Sequence, residues 1–419
     1  MITHKKRMTR SELLKGLRLR LLFVPLILLA SNFSFAVDLN ITANFKPDPH
    51  NPSNNTFKNT TPNSGYCASK PSYCSSGSFS LLIPGLITEA RPIMAGQTDL
   101  RQGAMLRAPS EWRSFDVVSS GGELKTVTVR ILGVGATFYI APSVQSITGI
   151  ANSRSAHRAL WSGNDWINAP SPCTYSGDSI HTATWYSFFW RTPTNGICGK
   201  TANYDIPSFH FDGISIMYEL KTPNPLEMPQ GTYTGQLNYT IGPGGDFDFG
   251  DLLTPSDNAL TLNFSLSVQH ILDVRFPPGS ERLTLVPAGG WQQWLNRGRR
   301  PEKLFANQSF QLWSSTPFKM QLQCQHAAGN QCGIQNSEGH LVPVETRVTL
   351  PPGITDSHRM PVNRLPLSTD PSFFLLGTYV GKGDATLHFE VGQDSVKQMT
   401  DHAGKKYSGN VTVIWDAEI

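Results

Sequence analysis

The sequence predicts an all-β protein of two β-sandwich domains in series, and three observations carry that prediction. Leu260-Thr-Leu-Asn-Phe-Ser-Leu-Ser-Val268 alternates apolar and polar positions without a break, the period of a strand with one buried face. Gly231 to Ile241 alternates in the same way, and Lys406-Tyr-Ser-Gly-Asn-Val-Thr-Val-Ile-Trp415 repeats its order of Tyr, one residue, Gly and then alternating apolar positions. Composition agrees, with 36 Gly, 30 Pro and 10% aromatic residues, and few helical periods beyond the first residues.

Residues 1–36 read as a secretory signal peptide. Lys5, Lys6, Arg7, Arg10, Lys15, Arg18 and Arg20 form a basic start, Leu21 to Ala30 an apolar run, and Ser34-Phe-Ala36 a small-x-small cleavage site. The apolar run is short for a membrane anchor, and no later segment offers a second span. This leader holds six of the net positive charges, so the formal +4 of the whole chain becomes −2 once it is removed. Nucleic acid thereby drops out as a partner. The remaining basic cluster, Arg297-Gly-Arg-Arg300, sits beside Pro301 and reads as a solvated loop.

All six cysteines follow the leader: Cys67 and Cys74, Cys173 and Cys198, Cys324 and Cys332. An even number in an exported chain points to disulfides, and of the fifteen possible connectivities sequential pairing is favoured, because each pair brackets a turn-rich loop. Cys324-Gln-His-Ala-Ala-Gly-Asn-Gln-Cys332 would staple a hairpin turning at Gly329-Asn330. Metal binding is disfavoured, since no pair has CxxC spacing and the histidines are scattered.

The exported chain is long enough for two cores. Residues 38 to about 64, with Pro47, Pro49, Pro52 and Pro62 among Asn and Thr, read as an extended or loosely attached lead-in. Strands are expected at Ser78–Ile83, Ser114–Val118, Glu123–Leu132 and Ala136–Ile140, then an insertion-like region over 146–203, then strands at Phe209–Lys221 and Gly231–Ile241. A new strand starts near His270, so the expected domains are 37–267 and 268–419. Strands expected in the second are Leu283–Val286, Gln308–Trp313, Phe318–Cys324, Val344–Leu350, Phe373–Val380, Ala385–Val391 and Tyr407–Trp415, the count of an immunoglobulin-like sandwich.

Catalytic signatures are weak. There is no GxSxG, HExxH, CxxC or GxGxxG pattern, and Gly133-Val-Gly135 lacks the third glycine. Gly242-Pro-Gly-Gly-Asp-Phe-Asp-Phe-Gly-Asp251 matches neither the EF-hand order nor a P-loop and reads as a solvated turn; Asp246 and Asp248 lie too close in sequence to suggest a glycosidase pair. The expectation is a binding protein rather than an enzyme, with no cofactor and no metal. Arg154, His157, Arg158, Trp161, Trp166, Trp185 and Arg191 crowd into one stretch, and flat aromatics beside hydrogen-bonding groups suit the two faces of a sugar, an Arg fork a carboxylated one. The competing reading is that the tryptophans are core and the arginines a solvated face.

Gly231-x-Tyr233-x-Gly235 leading through Gly242–Phe249 into Leu260–Val268, then a second β-domain ending in Tyr407-Ser-Gly-Asn-Val-Thr-Val-Ile-Trp-Asp416, resembles the two-domain tip adhesins of bacterial chaperone–usher fimbriae. That resemblance implies a receptor-binding first domain, its receptor a host glycan or glycoprotein. It also implies a second, pilin domain that is an immunoglobulin-like sandwich without its final strand. A periplasmic chaperone would supply the strand first, and the next subunit would donate it in the fibre, assembled through an outer-membrane usher to the fimbrial tip at the cell surface. The groove for that strand would be flanked by Ile271, Leu272, Val274 and Phe276 on one side and Tyr407, Val411, Val413 and Trp415 on the other. Many such pilins carry a tyrosine next to last; this chain has Trp415-Asp-Ala-Glu-Ile419. The alternative within the same family is a non-adhesive structural or assembly-initiating subunit; a secreted carbohydrate-active enzyme ranks last.

Overall fold

A computed structural model of the protein describes residues 37–48, 51, 55–74, 77–175, 177, 179–402 and 404–417. The expected signal peptide lies outside these residues. The chain is all-β, and its pairing falls into two sets of sheets, one within residues 37–268 and one within 272–417, each set over its own apolar core.

The first set is dominated by a twelve-stranded sheet. Its strands include β1 (Val37–Phe45), β2 (Lys58–Asn59), β3 (Phe79–Leu82), β4 (Arg91–Ile93), β5 (Arg113–Ser119), β6 (Leu124–Ala141), β7 (Trp185–Arg191), β8 (Ile206–Lys221), β9 (Gly231–Thr240) and β10 (Ala259–Val268). The order along the sheet is β2-β1-β10-β9-β5-β6-β7, and β8 pairs with β6, β3 and β4. The alternating stretch at the centre of the sequence pattern is β10. Its inward side chains, Leu260, Leu262, Phe264, Leu266 and Val268, are at most 2% exposed. It is an interior strand, parallel to β1 on one side and antiparallel to β9 on the other.

Two readings of this half are corrected. The lead-in is no loose arm: Val37–Phe45 is β1, and Leu39, Ile41, Ala43 and Phe45 are buried in the core. The strand's own alternation is regular, but the Pro and Asn that follow it masked the pattern. Glu123–Leu132 and Ala136–Ile140 are one strand, β6, which passes through Gly133-Val-Gly135 unbroken. Those glycines provide room where β7 crosses closely: a Cβ on Gly133 would stand 2.6 Å from Trp190 O, and one on Gly135 2.5 Å from Phe188 O.

The second set begins with β11 (Leu272–Arg275) and continues with β12 (Leu304–Ser314), β13 (Phe318–Cys324), β14 (Gln331–Gln335), β15 (Leu341–Thr349), β16 (Ile354–Asp356), β17 (Ser372–Leu376), β18 (Val380–Val391) and β19 (Val411–Ala417). One sheet runs β11-β12-β18-β15-β14, the other β16-β17-β13-β19. Leu283–Val286 is not a strand; it makes a single bridge, Val286 to Phe305. The last strand starts four residues later than expected. Tyr407 precedes it and is held under the 336–340 turn, its hydroxyl 2.7 Å from His340 Nδ1 and 3.3 Å from Asn336 Nδ2.

The two sets meet at 269–271. Gln269 N–H donates to Phe45 O at 3.0 Å, and Ser315 N–H donates to Ile271 O at 3.0 Å. Between them His270 Nε2 lies 2.7 Å from Met228 O and Nδ1 3.1 Å from Ser315 Oγ. A carbonyl can only accept, so Nε2 carries a proton, and burial holds the ring's pKa below the ordinary value, which favours the neutral form.

The placement of β1 is testable by denaturant unfolding. Ile41→Ala is expected to cost about 2–5 kcal/mol, as for a large core truncation, whereas Asn40→Ala on the outward face of the same strand should stay within about 0.5 kcal/mol. Equal, small effects would return residues 37–45 to a dispensable arm.

Candidate functional site

The insertion-like region folds back on the first core. Helix α1 (Ser153–Leu160) is capped by the Asn152 side chain, which accepts from Ser155 N–H at 3.0 Å, and it buries Ala156, His157 and Leu160. β7 follows as a nearly continuous aromatic run, Trp-Tyr-Ser-Phe-Phe-Trp, paired with β6 from Trp185 opposite Tyr139 to Arg191 opposite Gly133.

This folding divides the seven receptor candidates. His157, Trp161 and Trp166 are 0–1% exposed. Around Phe138 they build an aromatic cluster: Trp161 meets Phe138 at 5.7 Å between centroids, Trp166 stacks on Trp190 at 4.7 Å, and His157 packs on Tyr186 at 5.2 Å. Trp190 Nε1–H donates to Trp166 O at 2.7 Å. For these three residues the core reading is the one the structure shows, and none of them reaches a surface. His157 Nε2 lies 2.7 Å from Thr182 O and burial lowers its pKa, so it too is a neutral core histidine. The other four remain at the surface. Arg154 and Arg158 are exposed on α1, Arg158 Nε 3.4 Å from Asp165; Trp185 is half-buried, and half-buried Arg191 donates to Tyr73 O at 3.3 Å. None of the four lines the depression between Asn40 and Ser265 or the one between Arg107 and Asp246.

The glycine-rich acidic stretch is also a structural device, but not a solvated one. Asp248 is fully buried and accepts from Gly244 N–H at 2.9 Å, Gly250 N–H at 2.8 Å and Arg101 Nη1 at 2.9 Å. Asp246 pairs with Arg113 and accepts from Thr240 N–H at 2.9 Å. Burial would raise its pKa, yet the Arg113 guanidinium and these donors hold it below the ordinary value. Each carboxylate is committed to fixing the loop. Among the described residues no group of His, Cys, Asp and Glu is arranged to hold a metal ion, and no helix is long and apolar enough to cross a membrane.

The disulfides join Cys67 to Cys74, Cys173 to Cys198 and Cys324 to Cys332, sequential in each case. Cys173–Cys198 ties the insertion to the short strand Cys198–Lys200, where Lys200 is 4% exposed and its ammonium donates to Asn164 O at 3.1 Å and Gly163 O at 3.4 Å.

The other candidate surface is the seam between the first and last strands of the second half. β11 pairs with β12 and β19 with β13, each on one edge only among the described residues. Leu272, Val274, Val411, Val413 and Trp415 pack on the second core but are only partly buried, and Phe276 is 39% exposed. Phe310 connects the two sides, 5.3 Å from Phe276 and 5.2 Å from Trp415 between centroids. Ile271 belongs to the junction with the first half rather than to the seam, because its backbone N–H and C=O are both bonded to Ser315.

No family model and no curated protein matches the chain. One solved structure similar to it is the CsuC–CsuE chaperone–tip adhesion subunit pre-assembly complex from the archaic chaperone-usher Csu pili of Acinetobacter baumannii. It aligns over 91% of this chain and 99% of that one, at 10% identity and a TM-score of 0.21. A score of that size does not establish a shared fold.

The buried lysine gives the insertion a pH signature. Burial pushes Lys200 down from 10.5 to about 8, so between those values the unfolded chain binds a proton that the folded chain lacks, and folding stability rises with pH. The gain by pH 10 should be on the order of 2 kcal/mol, and Lys200→Met should remove it. A flat profile in the parent protein, measured by thermal unfolding from pH 7.5 to 10, would show an ammonium solvated through local opening.

Proposed function

We propose that the chain is a surface-displayed subunit of a chaperone–usher pilus. Its second half accepts a strand from another polypeptide, and its first half is the receptor-binding part. The observation that carries this reading is the incomplete burial at the seam. β10 and β19 share one alternating pattern, yet every inward residue of β10 is buried, whereas no residue of β19 is. Alternation of that kind is useful only if the apolar side is covered, and an apolar edge left open invites aggregation.

β11 and β19 are the terminal strands of different sheets over one core, and a strand laid between them would pair with free backbone groups and cover Leu272, Val274, Val413 and Trp415 together. The periplasmic chaperone and then the next subunit are the partners that such a seam requires in turn, with the usher as the assembly site. The role is binding without turnover: the acids of the 242–251 loop are consumed by arginines and backbone amides.

The test is strand supply. The chain exported alone should be degraded or aggregate, and fusing a donor strand after Ile419 should yield soluble, protease-resistant protein. Val413→Asp in the fused protein should abolish that rescue. A stable, soluble monomer obtained with no added strand would overturn the reading.

A further inference from the structure

The outward face of β1, β10 and β9 has an unusual chemistry. The three strands are in register over most of their length, so their outward side chains form rows across the sheet. Two adjacent rows are Asn40–Asn263–Gln236 and Thr42–Ser265–Thr234. Of the twelve outward positions from 38 to 44, 261 to 267 and 232 to 238, one is charged, Asp38, and none is aromatic or aliphatic. Solvated faces are ordinarily kept soluble with mixed charges. The second half does so, with Arg347–Glu345, Arg364–Glu390 and Lys303–Glu390 pairs around β15 and β18.

The rows are ordered laterally. Gln236 Nε2–H donates to Asn263 Oδ1 at 2.8 Å, Thr261 Oγ–H donates to Asn238 Oδ1 at 2.9 Å, and the Thr42 and Thr60 hydroxyls lie 2.9 Å apart. Asn40, Thr234 and Ser265 make no side-chain hydrogen bond among the described residues. The six residues of the two rows surround a shallow depression of about 560 Å³, with Ile41, Gly235 and Phe264 completing its lining. That volume is within the range of small-ligand sites.

We propose that this depression binds an uncharged oligosaccharide, a proposal that rests on the receptor-binding role given to the first half. Neighbouring rows stand about 7 Å apart along a strand and neighbouring strands about 4.8 Å apart. They present fixed amide and hydroxyl donors and acceptors to a ligand that itself carries closely spaced hydroxyls. The lining holds no cation, the nearest on this face being Lys58 opposite Asn44 on β2, and this disfavours sialylated, sulfated or phosphorylated ligands, which need a charged partner to offset desolvation. It disfavours an anionic membrane for the same reason. Another β-sheet would pair through an edge or pack on an apolar face, and both edges of β10 are occupied while the two rows hold no apolar side chain.

The experiment is an array of neutral hexose and N-acetylhexosamine oligosaccharides beside sialylated and sulfated ones, probed with the full exported chain. Binding is expected on neutral members only and should survive high salt. It should weaken at least about tenfold in Asn263→Lys and in Thr234→Lys, both with an unchanged melting temperature, and be unaffected in Arg158→Ala. Binding to acidic members alone, unaltered binding by both Lys variants, or binding to no neutral member overturns the site. So does a result in which the variants change self-association in sedimentation and not glycan binding. A chain that accepts a donor strand but binds no neutral glycan loses this site alone. One that binds neutral glycans yet needs no strand keeps the site and loses the pilus reading.

Discussion

A strand hides its backbone only when both edges are paired, and its apolar side only when something lies across it; most of this molecule follows from where those two conditions hold. β10 meets both. It is bonded to β1 and β9 along its whole length, and its inward residues are sealed by Tyr233, Tyr239, Phe115 and the rest of the first core. Because β1 comes from the start of the described chain and β10 from the end of the first half, their parallel pairing encloses everything between. The insertion can therefore carry helices, loops and a disulfide without loosening the sheet.

The repeated Tyr-x-Gly phrase is instructive for the same reason. In both copies the glycine marks a close backbone approach: a Cβ on Gly235 would stand 2.5 Å from Asp116 O, and one on Gly409 2.7 Å from Gly333 O. In both, the tyrosine hydroxyl anchors a neighbouring segment, Tyr233 to Pro229 O and Glu123, Tyr407 to His340 and Asn336. The first phrase lies inside a strand and the second before one, so a shared local solution serves two topologies.

Legibility in the sequence tracked how local each feature is. β10, β13 and the seam-facing residues of β19 were readable because alternation is a property of one segment. β7 was not, since an aromatic run buried on both faces has no period. Nor was the continuity of β6, because the need for Gly133 and Gly135 arises from a strand more than fifty residues away. The tryptophans at 161 and 166 were readable as core or as contact, but not which, for burial depends on the Phe138 cluster that assembles them. The neutral face was out of reach altogether. Its rows exist only once residues 37–45 are set in register with 260–268, and each strand alone looks like any polar outer face.

The contrast between the halves comes down to their first and last strands. In the first half these are β1 and β10, hydrogen-bonded neighbours, and the core beneath them is closed. In the second they are β11 and β19, at the rims of separate sheets with half-buried residues between them. Nothing in the local sequence of β19 makes it less suited to a core than β10: both alternate, and both carry large apolar side chains. The difference is supplied by a partner strand that lies elsewhere in sequence. An added strand would do for β19 what β1 does for β10, pairing a free edge and covering an apolar side in one step. The stability of the second half would then be set by whichever polypeptide provides it.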